Sequence, residues 1–179
     1  MAIGVVMHTF DVQLADLDRG VYEDLTLRLA QHPSETAEFM VTRLLAYCLE
    51  YTEGIAFSEG VAATNEPAVL VRDATGRQTA WIEVGSPDAE RLHYGSKLTG
   101  HVAIYTHRDP ARVVPQWSGK KIHDAENIVL HSFDPGFVQS VAEAVERRNT
   151  VTLSVTEGQL YLDVNGVNLT SGVRAHPVG

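Results

Sequence analysis

The sequence carries one cysteine, Cys48, and three lysines, Lys97, Lys120 and Lys121, against 23 acidic residues. A single cysteine excludes an internal disulfide and fits a reducing, cytoplasmic setting. The shortage of basic residues leaves a net charge of −9. Proteins that grip nucleic acid broadly do so by neutralising phosphates and releasing counterions, which needs a basic footprint this chain lacks. A small metal-bearing cleft is still compatible with the acidity, because bound cations cancel local negative charge. No run approaches the ~18 apolar residues of a membrane helix. The opening Met-Ala-Ile-Gly-Val-Val-Met-His has no basic stretch or cleavage site of a signal peptide, so Asn168-Leu169-Thr170 reads as a chance match to a glycosylation acceptor. Also missing are a Walker loop, a Gly-x-Gly-x-x-Gly turn, a Gly-x-Ser-x-Gly elbow, a Cys-x-x-Cys pair and His-Glu-x-x-His. The eight histidines are scattered without ligand spacing.

What is present is the profile of a soluble globular domain, 44% apolar and 21% charged over 179 residues, with no repeat or linker, so a single domain over 1–179 is expected. The first thirty residues alternate with a period of two around Leu17-Asp18-Arg19-Gly20, which predicts two strands around a turn or a short helical bend. Ser34 is expected to cap a helix, with Glu35 in its first turn. Ala37, Met40, Val41, Leu44, Leu45 and Cys48 form the apolar face of that helix. Residues 67–84 predict a hairpin closing at 73–77, with both strands apolar on both faces and therefore central in a layered α/β arrangement. Ser86-Pro87-Asp88 reads as a helix start with proline at its first position. Further strands are expected at 101–105, 127–133, 151–155 and 159–164, with a helix from 134 through Arg148. After an Asn165-Gly166 turn comes a last strand over 167–169.

One residue stands out in this pattern. Glu83 lies in an apolar strand, where a charge needs a partner. A hairpin turn centred on Ala74 and Thr75 sets Glu66 opposite Glu83, and a slip of one position leaves both on one face. Facing carboxylates repel unless a cation sits between them, and Mg²⁺ takes one or two carboxylates plus water. Glu38, a quarter turn from the helix's apolar stripe, can look toward the sheet, and Lys97 lies on the helix that follows Glu83. Three carboxylates and a lysine would suit metal-assisted phosphodiester hydrolysis, the metal acidifying water and the amine stabilising charge. The competing reading of Glu83 is a buried structural carboxylate paired with Lys97 or an arginine. For Glu66, Glu38 and Lys97 the competing readings are a solvated strand start, an edge salt bridge and a solvated helix lysine.

Leu17-Asp18-Arg19-Gly20, Leu29-Ala30-Gln31-His32-Pro33-Ser34-Glu35-Thr36, Arg43-Leu44-Leu45-Ala46-Tyr47, the Glu66-Pro67 hairpin and Trp81-Ile82-Glu83-Val84-Gly85-Ser86-Pro87-Asp88 together resemble the bacterial YaeQ family over essentially the whole chain. The resemblance implies the PD-(D/E)xK nuclease fold: a restriction-endonuclease-like α/β core, a mixed central sheet flanked by helices, with extra β-strands at the N- and C-terminal ends. It implies a Mg²⁺-dependent, nuclease-like enzyme acting on nucleic acid or a related phosphodiester. Glu83 would match the acid of the (D/E)xK element, Glu66 the aspartate of the "PD" element and Glu38 the first-helix glutamate. Glu66 and Glu83 would hold the metal. Gly85 stands where that element has its lysine, so Lys97 would supply the amine from the next helix. In Glu66-Pro67 the proline follows the acid instead of preceding it. The alternative is a non-catalytic descendant of that fold, acting as a binding or regulatory protein.

Overall fold

The computed structural model describes residues 4–58 and 66–179, and the chain is mixed α/β with ten strands and four α-helices among them. It packs as two compact units, Met1–Leu44 with Phe133–Arg174, and Leu45–Ser132 with Ala175–Gly179. No helix among the described residues is long and apolar enough to cross a membrane.

The first unit is built on a sheet in the order β2-β1-β8-β9-β10. Strands β1 (Val6–Asp16) and β2 (Val21–Gln31) pair antiparallel around the expected turn, and their period-two alternation sends Phe10, Val12, Leu14, Leu27 and Leu29 inward. Strand β8 (Arg148–Thr156) runs parallel to β1 and antiparallel to β9 (Gln159–Val164), which pairs with β10 (Val167–Pro177). Helix α1 (Ala37–Leu49) buries Met40, Val41, Leu44, Leu45 and Cys48, as its spacing predicts.

The boundaries of α1, α4, β8 and β10 differ from expectation here, and β10 runs past the expected 169 to Pro177. The cap of α1 is Thr36, whose Oγ1 accepts from the Phe39 amide at 3.1 Å. Ser34 instead meets the His32 ring. Glu35 is therefore outside the helix, where its carboxylate turns inward onto Arg43 at 2.7 Å. The helix expected to reach Arg148 is α4 (Phe137–Ala144). It stops because Val145 is extended, and β8 starts at Arg148, three residues earlier than its apolar alternation suggests. Polar Asn149 is responsible: buried, it bonds the Thr9 carbonyl and both backbone groups of Glu146, tying the strand's start to β1.

The second unit is built on β7-β6-β5-β4-β3. Strands β3 (Ile55–Phe57), β4 (Val69–Arg72) and β5 (Gln78–Val84) form an antiparallel meander. Strands β6 (His101–Thr106) and β7 (Val129–Phe133) add parallel to β5. The hairpin pairs Val69 with Ile82, one position slipped from the first turn choice, and its register shifts again between Val71 and Arg72. Asp73 organises the turn by accepting from the Thr75 and Arg77 amides. Between β5 and β6 runs α2 (Ala89–Leu98), with Asp88 at its N-cap, so Pro87 precedes the helix instead of opening it.

The core of this unit gathers Trp81, Leu92, Val102, Ile104, Val113, Trp117, Ile128 and Leu130. A short helix α3 (Pro110–Val113) and a 3-10 turn over Val114–Trp117 supply part of it. Contact between α2 and β5 is close. A Cβ on Gly95 would stand 2.6 Å from Trp81 Cδ1 and Cδ2, so only glycine lets the helix lie on the indole.

Candidate functional site

Glu83 sits near the carboxyl end of β5, 3% exposed, on the face covered by α2. Gly95 brings that helix down onto Trp81, and one helical turn earlier Arg91 lies over the same indole, 5.9 Å from its centroid. From there its guanidinium reaches Glu83 with both arms, Nε to Oε2 at 2.6 Å and Nη2 to Oε1 at 3.2 Å. Nη2 also donates to the Glu66 backbone carbonyl at 2.8 Å. The fork matches a carboxylate in charge and shape. The hydrogen bond with Glu83 pushes the Arg91 pKa above its already high ordinary value, so this cation stays charged.

Of the four candidates, Glu66, Glu83 and Lys97 share this unit and are not gathered into one group. Glu66 lies before β4, outside the strand, so it does not face Glu83 across the hairpin. Its carboxylate points to Arg72 Nη2 at 3.4 Å. Arg91 joins Glu83 to the Glu66 segment through the latter's carbonyl. Lys97 is exposed on α2, six residues beyond Arg91 and so about 120° around the helix. Glu38 is in the first turn of α1, in the other compact unit, with its carbonyl accepting from Thr42 Oγ1 at 2.7 Å. Gly85 has φ +87°, a left-handed backbone suited to glycine, which ends the strand directly after Glu83 and Val84. Among the described residues no three His, Cys, Asp or Glu side chains converge as metal ligands would.

A second polar cluster in the same unit escaped the sequence reading. Glu50, just past α1, accepts from Tyr105 Oη at 2.6 Å and pairs with His101 Nε2 at 2.7 Å. Tyr105 in turn stacks on His131, ring centroids 4.5 Å apart. The period of two puts His101 and Tyr105 on one face of β6, the only local hint. Glu50 is 51 residues from His101, and no pattern in the sequence links them. Burial pushes the Glu50 carboxyl up, but the bonds from His101 and Tyr105 together outweigh it and hold the pKa below its ordinary value. The hydrogen bond to Glu50 lifts His101 above its ordinary pKa, whereas burial pulls His131 down.

This pairing makes stability depend on pH in a defined window. The raised histidine stabilises the fold fully below its ordinary 6.5 and loses that contribution as pH rises through the lifted value. The depressed carboxyl contributes fully above its ordinary 4.5 and loses that as pH falls through the lowered value. An NMR titration should therefore place the His101 midpoint above 6.5, and Glu50→Gln should bring it down. A His101 midpoint unmoved by Glu50→Gln would show that the pair is not what sets it.

Ser132 Oγ and His176 Nε2 are 2.8 Å apart, a serine–histidine contact at the rim of a cleft of about 450 Å³ lined by Asp109, Pro110, Val114 and Pro115. Ser132 is buried, so its hydroxyl orients the imidazole and cannot itself reach a substrate.

A family model described as YaeQ protein matches residues 1–172. The chain is 30% identical over 176 residues to "Uncharacterized protein YaeQ" of Escherichia coli (strain K12), covering 98% of this chain and 97% of that one. The protein of the same description from Salmonella typhi is 31% identical over 163 residues, 90% of each chain. Among solved structures, the YaeQ protein from Pseudomonas syringae matches with a TM-score of 0.84 at 30% identity, over 98% of both chains. The YaeQ protein from Xanthomonas axonopodis pv. citri shares the fold with a TM-score of 0.86 at 24% identity, over 98% of this chain and 99% of that one.

Proposed function

The chain belongs to the YaeQ family, and we propose that it works by binding a partner and not by metal-dependent cleavage of phosphodiester bonds. The observation that carries this reading is Arg91. Both oxygens of Glu83, the carboxylate best placed for a cation, are held by its guanidinium, which also occupies the Glu66 carbonyl. A divalent ion would have to displace a permanent charge in bidentate contact with a buried acid, and Mg²⁺ gives up its own water reluctantly. Glycine at position 85 removes the amine that a (D/E)xK element would aim at the attacking water. The net charge of −9 favours a partner with a basic surface and raises its encounter rate.

The second reading is a Mg²⁺-dependent nuclease on a restriction-endonuclease-like core, with Glu66 and Glu83 on the metal, Glu38 assisting and Lys97 near the water. It is favoured by one feature, the burial of Glu83 at the carboxyl end of a parallel strand, where α/β proteins place their sites. Calorimetric titration separates the two. The native chain should give no saturable heat with millimolar Mn²⁺ or Mg²⁺. Saturable binding that disappears in Glu83→Ala, joined by cleavage of single-stranded, duplex or RNA substrates that Lys97→Ala abolishes, would overturn the binding proposal in favour of the nuclease.

A further inference from the structure

The outer edge of β2 is long and unpaired. Strand β2 ends its sheet, and among the described residues no strand pairs with it on the side away from β1. Its hydrogen-bonding parity can be read from β1. The Thr9 and Leu17 amides of β1 bond to Arg147 and Val155, on the β8 side, so the odd residues of β1 point that way. Even residues of β1 therefore bond to odd residues of β2, and Tyr22, Asp24, Thr26, Arg28 and Ala30 turn their backbone groups outward. Arg43 Nη2 confirms the parity by donating to the outward Ala30 carbonyl at 2.8 Å, which closes the edge there. The side chains of all five even residues are exposed.

Of the eleven-residue strand, the edge from Tyr22 to Arg28 stays open as a template for another strand, a feature that folded proteins normally blunt. Here the charges on the edge are complementary to themselves. When two copies of β2 lie antiparallel with Thr26 on the two-fold axis, Asp24 of each faces Arg28 of the other. Moving the register by two residues in either direction removes both pairs. Moving it by four sets Asp24 against Asp24 or Arg28 against Arg28, which repel.

The Thr26-centred register also accounts for two exposed apolar side chains. It brings Tyr22, 63% exposed, opposite Ala30 of the other copy, and Ala30 is the cross-strand neighbour of Met7, 42% exposed. A small residue thus leaves room for the ring, beside a flexible thioether that can cover it. Because Arg43 closes the edge at Ala30, the shared ladder spans Asp24–Arg28 and the tyrosine adds side-chain packing beyond it.

We propose that the partner of this edge is a second copy of the chain, joined through β2 in an isologous, antiparallel dimer centred on Thr26. The inference is independent of whether the chain binds or cleaves anything else. Sedimentation velocity of the full chain across micromolar concentrations should show a monomer–dimer equilibrium. Asp24→Arg and Arg28→Asp should each weaken it about tenfold or more, since each turns both pairs into repulsions. The double variant Asp24→Arg/Arg28→Asp should restore it. Thr26→Pro should abolish it while leaving the circular dichroism unchanged, because the amide it removes faces away from β1. A monomer at every concentration overturns the proposal, as does a dimer indifferent to Thr26→Pro. A folded double variant that stays monomeric overturns the register.

Discussion

Arg91→Met should lower the unfolding free energy by about 2–4 kcal/mol, because it strands the Glu83 carboxylate in a buried strand with no cation. Breaking one side of a fully buried pair costs about 3–5 kcal/mol, and the lower figure allows for the water that reaches this one, since the Arg91 side chain is 32% exposed. The asymmetry of exposure predicts an asymmetry of effect. Glu83→Met removes the buried member and leaves a partly exposed arginine that keeps its bond to the Glu66 carbonyl, so it should cost about 1 kcal/mol or less. Combining the two should recover most of the stability lost in Arg91→Met. Urea unfolding of the four proteins closes the cycle. Equal losses from the two single variants would mean that Glu83 is not the buried member whose charge must be met.

Arg43→Met should cost more, about 3–5 kcal/mol at neutral pH, because both side chains of its pair are buried, 4% exposed for Arg43 and 1% for Glu35. The change also removes the bond to the Ala30 carbonyl. Its pH dependence has a definite sign. Burial already raises the Glu35 carboxyl above its ordinary 4.5 in spite of the attraction from Arg43. Without that attraction the folded state holds the proton more tightly still. A carboxyl raised in the folded state stabilises by taking up a proton, so the penalty in Arg43→Met is largest at neutral pH. It shrinks as pH falls through the raised value toward 4.5. Urea melts at pH 7.5 and 4.5 would test this, and a deficit equal at both would count against Glu35 as its source.

Both experiments bear on residues that the sequence ranked differently. Glu35 looks like a helix-start acid because it follows Ser34 and precedes an apolar stripe. It is a buried ion-pair member because Thr36 takes the cap and leaves Glu35 free to turn inward. For Glu83 the requirement was legible, since a carboxylate in an apolar strand needs a positive partner, and an arginine was one of the readings. The identity of that arginine was not legible. Glu66 faces Glu83 only in a hairpin extended past its real start at Val69, where the register that counts is set.

The sequence by itself determined the family, the alternating strands at both ends, the apolar face of α1, the hairpin turn at Asp73 and the need of Glu83 for a cation. These are local or compositional: period two and period 3.6 are written into neighbouring residues, and the cost of burying a charge holds wherever the strand lies. Only the tertiary structure decided that the cation is Arg91 and that Glu50 gathers His101 and Tyr105. Those partners are chosen by how elements pack. Gly95 lets α2 settle on Trp81, and that approach carries the Arg91 guanidinium, instead of the Lys97 amine, to the one buried carboxylate of β5.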